Sequence, residues 1–464
     1  MEIERKLVEY IVETPFAMLP DEVIGTAKNV VRTVLGTTVA GAKEEGCETL
    51  STQVKEWGGK EEATILIHGG LVPAHNAVLV NSAMARALDF CDAMSMGIHL
   101  GSSTIPTGLV VAELMGGVSG REFLTALVVG TEVASRIHFS SIYDGFDPTG
   151  VCTIFATTAI AGRILGLKPE QMLNALAIAF NKAGGSMQSN IDGSLAVRLN
   201  QGFASQGGII SAQLARRGFT GPMNFLDGIY GYFHLYAKDR YEPEAIIGEL
   251  GERFELTKTI FKKYPSCGGT LASTDAILEL VANHCITPED IAKIIIKVTP
   301  PIYKLVGHPF KIGKNPRVNA QFSIQYCVAN ALLRGSSKLN HFEDNYVREP
   351  KVLELIDKIS VINDPNLEKR TRLTVEMEIH TKQGAAYHKV VDYFRGTPEN
   401  PLTNEEHLER FQDCVRYADD RLPQENVEKI LYLVSQLEEL PDVCSLIPLL
   451  LPQKSKVRVD SKRQ

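Results

Sequence analysis

The 464-residue chain contains a single tryptophan, and no two of its eight cysteines have the CxxC spacing of a zinc or iron–sulfur site. Cys47, Cys91, Cys152, Cys267, Cys285, Cys327, Cys414 and Cys444 are too thinly spread for a disulfide scaffold. They read as reduced, mostly buried thiols of a cytoplasmic protein. No run of eighteen apolar residues occurs, so no membrane span is expected. The N-terminus, MEIERKLVEYIVETP, alternates charge with apolar residues and lacks the apolar h-region of a signal peptide. Positive charge is scarce as well: the formal net charge is −7, a poor basis for binding nucleic acid. The sequence has no HExxH, no GxSxG and no strand-led GxGxxG. Residues 307–314 (GHPFKIGK) echo a phosphate loop, but with one residue too many between the glycines and Asn315 where Ser or Thr should bind magnesium. His99 with Asp89 and Asp92 is the one dense grouping of metal-ligand types; neither a metal nor an organic cofactor is expected.

What is present is apolar and helical. Residues 3–12, 20–40, 76–88, 105–115, 120–137, 153–165 and 170–183 repeat apolar positions at helical spacing, many rich in Ala. Ser119 and Glu122 have the spacing of a capping box. After about residue 260 the pattern changes. Residues 291–298 (IAKIIIKV) are short and β-branched, and residues 373–380 alternate apolar with polar before a Lys382-Gln383-Gly384 turn and a return over 385–391. Helical stretches at 271–283 and 322–334 lie between them, and helices resume at 404–417 and 424–437. The expected fold is mainly α with an α+β part: a large helical domain, residues 1–258 and 396–464, carrying an inserted α+β lid, residues 259–395. The basic tail, 454–464, is expected to fray.

Asp89-Phe90-Cys91-Asp92 closes an apolar helix, and His99 follows in a small-residue loop at 97–104. Two carboxylates and an imidazole at a helix end are ingredients of acid–base chemistry, and equally of a capped helix end beside a loop histidine. The surrounding pattern favours the first. Leu88-Asp89-Phe90-Cys91-Asp92 with His99 resembles the L-D-F-D-D…H-P signature of the MmgE/PrpD family. Five further segments follow in the family's order: GREFLTALVVGTEVASR at 120–136, Gly145-Phe146-Asp147-Pro148, AQLARRGFTGP at 212–222, Lys262-Lys263-Tyr264-Pro265-Ser266-Cys267, and AQFSIQY at 320–326.

This resemblance implies a homodimer with a small-carboxylate substrate, and a family chemistry that includes 2-methylcitrate dehydration, cis-aconitate decarboxylation and iminodisuccinate epimerisation. Carried over by position, it implies catalytic roles for Asp89, His99, Lys262 and Tyr326, although Leu100 stands where proline usually follows the histidine. Asp92, Asp147, Arg198, Lys263 and Cys267 are the implied substrate contacts. Each has a plain structural alternative: Tyr326 as core packing, Lys263 rather than Lys262 as the ligand contact, Asp147 as a turn residue before Pro148, Arg198 in a salt bridge, Cys267 as pocket wall.

Four positions depart from the family pattern. Ala93 replaces a common threonine, Asp147 a histidine, Val197 a lysine, and Cys267 the histidine of the decarboxylase branch. Cationic and donor groups are lost and a carboxylate is gained. An uncompensated substrate carboxylate in a closed site costs several kcal/mol, so the expected substrate carries fewer charges than a tricarboxylate, or has an amine or amide. The expected activity is that of a cofactor-independent hydro-lyase with altered specificity. An epimerase, a decarboxylase or a catalytically idle acid-binding relative are the alternatives.

Overall fold

In the computed structural model, which describes residues 2–419 and 421–452, long Ala- and Val-rich helices stack into one core and a small sheet with its own helices forms another. The basic tail read as frayed lies outside the described residues. The larger core draws on residues 3–261 and 402–450. Its helices include α1 (Asp21–Gly41), α2 (Ala74–Arg86), α3 (Gly101–Leu114), α4 (Gly120–Phe139), α5 (Pro148–Ile164) and α6 (Ala196–Arg216). Helices α2, α3 and α5 are buried nearly all round, which is why their sequences show so little polar stripe. Ser119 caps α4 by accepting from the Glu122 amide at 3.3 Å.

The second core gathers residues 264–394. Helices α7 (Gly268–His284) and α8 (Ile324–Arg334) pack beside a mixed sheet. Two short strands pair with each other outside this sheet, β1 (Asp92–Ala93) and β2 (Ile260–Phe261). The sheet itself is built from β3 (Ile291–Val298), β4 (Ile359–Asn363), β5 (Val375–Thr381) and β6 (Ala386–Val391) in the order β4-β3-β5-β6. The β5–β6 hairpin lies where the alternating pattern puts it; β4 runs parallel to β3. The protein is therefore mainly α with an α+β part. No helix among the described residues is long and apolar enough to cross a membrane.

Two local features set up the site. The first is the β1–β2 ladder, which pairs Asp92 with Phe261 and so lays the segment after α2 alongside the segment before α7. Gly396, at φ +108°, backs this ladder: the Phe261 amide donates to its carbonyl at 2.8 Å, and a Cβ there would lie 1.9 Å from the Phe261 oxygen. The second is a small cluster of Ala40, Leu88, Phe90, Leu339, Cys414 and Tyr417, which seats Leu88 and Phe90 among side chains from three distant parts of the chain, including α9 (Asn404–Tyr417).

The small-residue loop read at 97–104 is shorter than expected, because α3 begins at Gly101. The cause is Asp92, whose Oδ2 accepts from the Gly101 amide at 2.9 Å and supplies the helix with a cap from outside its own sequence.

Candidate active site

Helix α2 ends at Arg86, and the chain turns sharply so that Asp89 has φ +52°, a left-handed conformation that disfavours a side chain. The turn persists because its carbonyls are held one after another from outside. Arg198 donates to Ala87 at 3.1 Å, Gln321 to Leu88 at 2.8 Å, Lys262 to Asp89 at 2.9 Å, Arg410 to Phe90 at 2.9 Å and His99 to Asp92 at 2.7 Å. Donors from five separate places in the chain over-determine this strand of backbone.

The turn aims the Asp89 carboxylate at two cations. Oδ1 lies 2.8 Å from Lys262 Nζ and 2.6 Å from Arg86 Nη1. All three side chains are buried, Lys262 to 2% exposure. Burial alone would push the Asp89 carboxyl up, but Lys262 and then Arg86 outweigh it and hold the group well below the usual carboxylate range. Burial likewise works against the Arg86 charge, and Asp89, Cys91 and Asp147 keep the guanidinium protonated.

His99 completes the group, with Nε2 3.9 Å from Asp89 Oδ1. Its Nδ1 lies 2.7 Å from the Asp92 carbonyl oxygen, which can only accept. That contact assigns the proton to Nδ1 and leaves a lone pair on Nε2. Burial, then Arg86 and Lys262, push the imidazole pKa well below its usual value against the opposing pull of Asp89. The ring is thus a neutral base at physiological pH. Its backbone is fixed too: the His99 amide donates to Thr149 at 3.2 Å and its carbonyl accepts from Gln201 at 2.9 Å.

The remaining expected residues divide. Cys267, at the start of α7, is buried close enough for its thiol to feel Asp89 and Lys262; burial and Asp89 push it up to about 11, so it is a protonated thiol rather than a nucleophile, and it is not among the residues that line the cleft described below. Asp147 caps α5, with Oδ1 accepting from the Thr149 amide at 2.9 Å and Oδ2 from Asn200 at 2.7 Å. Asp92 turns to the α3 N-terminus; its other oxygen is buried without a partner among the described residues.

Two expectations need correcting. Tyr326 does not join the constellation: it is fully buried between Phe310 and Phe342 in the second core, and its hydroxyl donates to the His341 carbonyl. Lys263 follows Lys262 out of the β2 strand but points the other way, to a half-exposed ion pair with Glu406 at 3.1 Å. Arg198 lines that cleft; it donates to the Glu45 and Ala87 carbonyls and pairs with no carboxylate among the described residues.

Arg86, Gln321 and Arg410 were missed. Arg86 had a signal: a guanidinium in an Ala-rich apolar stretch, three residues before Asp89, needs an anion close by in sequence. Gln321 and Arg410 had none, since their targets are backbone carbonyls hundreds of residues away.

A cleft, partly open to solvent, adjoins this group; His99 and Lys262 are not among the residues that line it. Arg86 and Asp89 form part of its wall, with Asn190, Leu195, Asn315 and Gln321 among the others. Among the described residues, no three His, Cys, Asp or Glu side chains stand together as a metal site.

Comparison with known proteins agrees with this arrangement of segments. The MmgE/PrpD N-terminal domain matches residues 5–244, and the MmgE/PrpD C-terminal domain matches residues 264–439. Human cis-aconitate decarboxylase is 28% identical over 459 residues, covering 96% of this chain and 93% of its own. Cis-aconitate decarboxylase of Aspergillus terreus is 24% identical, covering 93% of this chain and 92% of its own. The 2-methylcitrate dehydratase of Escherichia coli K12 is 22% identical over 303 residues, 61% of each chain.

Proposed function

From a chain that belongs to the MmgE/PrpD family, we propose a lyase that acts beside a carboxylate of a small organic acid, removing water with His99 as the base and without a cofactor. One observation carries this reading: the neutral Nε2 of His99 lies 3.9 Å from a carboxylate held ionised between Lys262 and Arg86. Asp89 itself is a poor base, because two cations stabilise its charged form. Its role is electrostatic.

In this mechanism Nε2 takes the proton from the carbon next to the substrate carboxylate, and the electron pair forms the double bond as the C–O bond to the neighbouring hydroxyl breaks. The imidazolium so formed is stabilised by Asp89 and returns its proton to the departing hydroxide, which leaves as water. Arg86 takes up the charge that grows on the substrate carboxylate oxygens.

The relatives include decarboxylases as well as a dehydratase. Dehydration is favoured here because a decarboxylase must supply a proton to the carbon that loses CO2, whereas His99 starts with a lone pair and Tyr326 donates elsewhere. Epimerisation needs a second base, and both Asp147 oxygens already accept hydrogen bonds. The working form on this reading is a homodimer in the cytoplasm. Exposed apolar side chains at Ile191, Phe203, Phe219, Ile229, Tyr230 and Leu235 support a covered face. Sedimentation equilibrium at micromolar protein should give twice the chain mass.

The test is a panel of small hydroxy acids in D2O. Appearance of an unsaturated product, by its ultraviolet absorbance and by mass, supports the reading. Deuterium uptake with no product would replace it with an epimerase. Binding with neither would leave an idle relative.

A further inference from the structure

Helices α1 and α9 meet along a layer that is rich in positive charge. Arg32 and Thr33 stand on α1, while Asn404, His407 and Arg410, three residues apart on α9, share the facing side. Two hydrogen bonds join the layer. Arg32 Nη1 donates to Asn404 Oδ1 at 3.0 Å, and Arg410 Nη1 donates to Thr33 Oγ1 at 3.0 Å. Arg32 is 7% exposed, His407 4% and Arg410 6%.

Each of the three keeps one buried nitrogen without a partner among the described residues: Nε of Arg32, Nε of Arg410 and Nδ1 of His407. The carboxylates within electrostatic reach are engaged elsewhere. Glu406, which acts on His407, pairs with Lys263 at 3.1 Å and Arg395 at 2.8 Å. Asp92, which acts on Arg410, accepts from the Gly101 amide. Burial accordingly lowers the pKa of both guanidinium groups, that of Arg410 to about 10. Two buried positive charges without a bonded carboxylate are costly, and so are three unpaired N–H groups.

All three free atoms are donors. The Nε of an arginine always carries a hydrogen, and neutral His407 can carry its proton on Nδ1. A water would meet three donors with two lone pairs, and would bring two hydrogens that need acceptors of their own. An anion accepts from all three and offsets the charge. None of the three side chains lines the cleft beside Asp89, so the occupant is small and sheds its water on entry.

We propose that Arg32, His407 and Arg410 form a buried site for a single halide ion, chloride under ordinary conditions. The site is separate from the candidate active site but borders it. Arg410 Nη2 donates to the Phe90 carbonyl at 2.9 Å, and its guanidinium lies over the Phe90 ring at 4.5 Å. The ion then secures α9 against α1 behind the turn that carries Asp89. An anion there draws the His407 pKa back up, so the pH dependence of folding that His407 confers is expected in full only at low chloride.

Crystals of the full-length protein grown in sodium bromide and measured at the bromine edge locate the ion directly. One anomalous peak in contact with the Arg32 and Arg410 Nε atoms and His407 Nδ1 is expected. A water in that place, or bromide bound only elsewhere, overturns the proposal. In solution, thermal unfolding is followed in chloride and in methanesulfonate at constant ionic strength. Chloride at about 100 mM should raise the midpoint by roughly 2 °C or more. The rise should vanish in Arg32→Met; Arg32 bonds to Asn404 and not to the candidate active site. A midpoint indifferent to chloride, or a rise that persists in folded Arg32→Met, also overturns the proposal. If Arg32→Met does not fold, the bromide map on the unaltered protein decides the matter.

Discussion

Lys262 reaches Asp89 twice: its ammonium lies 2.8 Å from the carboxylate Oδ1 and donates at 2.9 Å to the carbonyl of the same residue. One side chain therefore fixes both the backbone turn and the charge it displays. The contact spans 173 residues and is made possible by the short β1–β2 ladder.

Lys262→Met removes both contacts and leaves a buried carboxylate with Arg86 as its only remaining cation in direct contact. Losing one partner of a buried ion pair is strongly destabilising, here by roughly 3 kcal/mol. Urea denaturation followed by circular dichroism should show that loss. Activity should fall at least a hundredfold, since the carboxylate beside His99 is no longer held in place. A change under about 1 kcal/mol with activity retained would remove Lys262 from the role given to it.

His99 is kept neutral by burial and by Arg86 and Lys262. An ordinary histidine would impose an acid limb on kcat/KM near pH 6.5. Here the profile should stay flat through that region and fall only well below it. His99→Gln should cost on the order of 10² to 10⁴ in rate. A limb near pH 6.5 that disappears in His99→Gln would contradict the neutral-base assignment.

Tyr326 donates to the His341 carbonyl inside the second core. Tyr326→Phe should therefore leave kcat within a fewfold of the parent and lower stability by about 1–2 kcal/mol, the cost of an unpaired buried carbonyl. A collapse of kcat at unchanged stability would return the phenol to the chemistry.

His407 is 4% exposed, and burial, then Arg410 and Arg32, lower its pKa to about 3 against the pull of Glu406. The folded protein keeps it neutral, while the unfolded chain takes up a proton near pH 6.5. The sign follows: stability is fully present above pH 6.5 and is lost as pH falls toward about 3. Between pH 7.5 and 5 this one group should remove on the order of 2 kcal/mol. Comparing urea midpoints with those of His407→Gln isolates it, and equal pH dependence in the two proteins would refute the assignment.

The helices were legible because their apolar content is high and their boundaries are punctuated. The 404–417 helix and the 375–391 hairpin follow directly from periodicity and turn residues. The start of α3 was not, because its cap, Asp92, arrives from another segment. Asp89, His99 and Lys262 were recoverable from motif order, and the structure brings them together. The same motifs put Lys263 and Tyr326 with them, and there motif order misled. A neighbour in sequence can face the opposite side of a strand, and a position in a motif does not state which core it fills.

The chain alone determined which chemical groups are present, which segments are helical, and that a cluster of acid, imidazole and ammonium was available. Tertiary structure decided how those groups behave. Whether a carboxylate is a base or a fixed charge, and which imidazole nitrogen holds the proton, depends on atoms within a few ångströms contributed by residues far away in the chain. Electrostatics and hydrogen bonding act through space, and the order of residues does not record that distance.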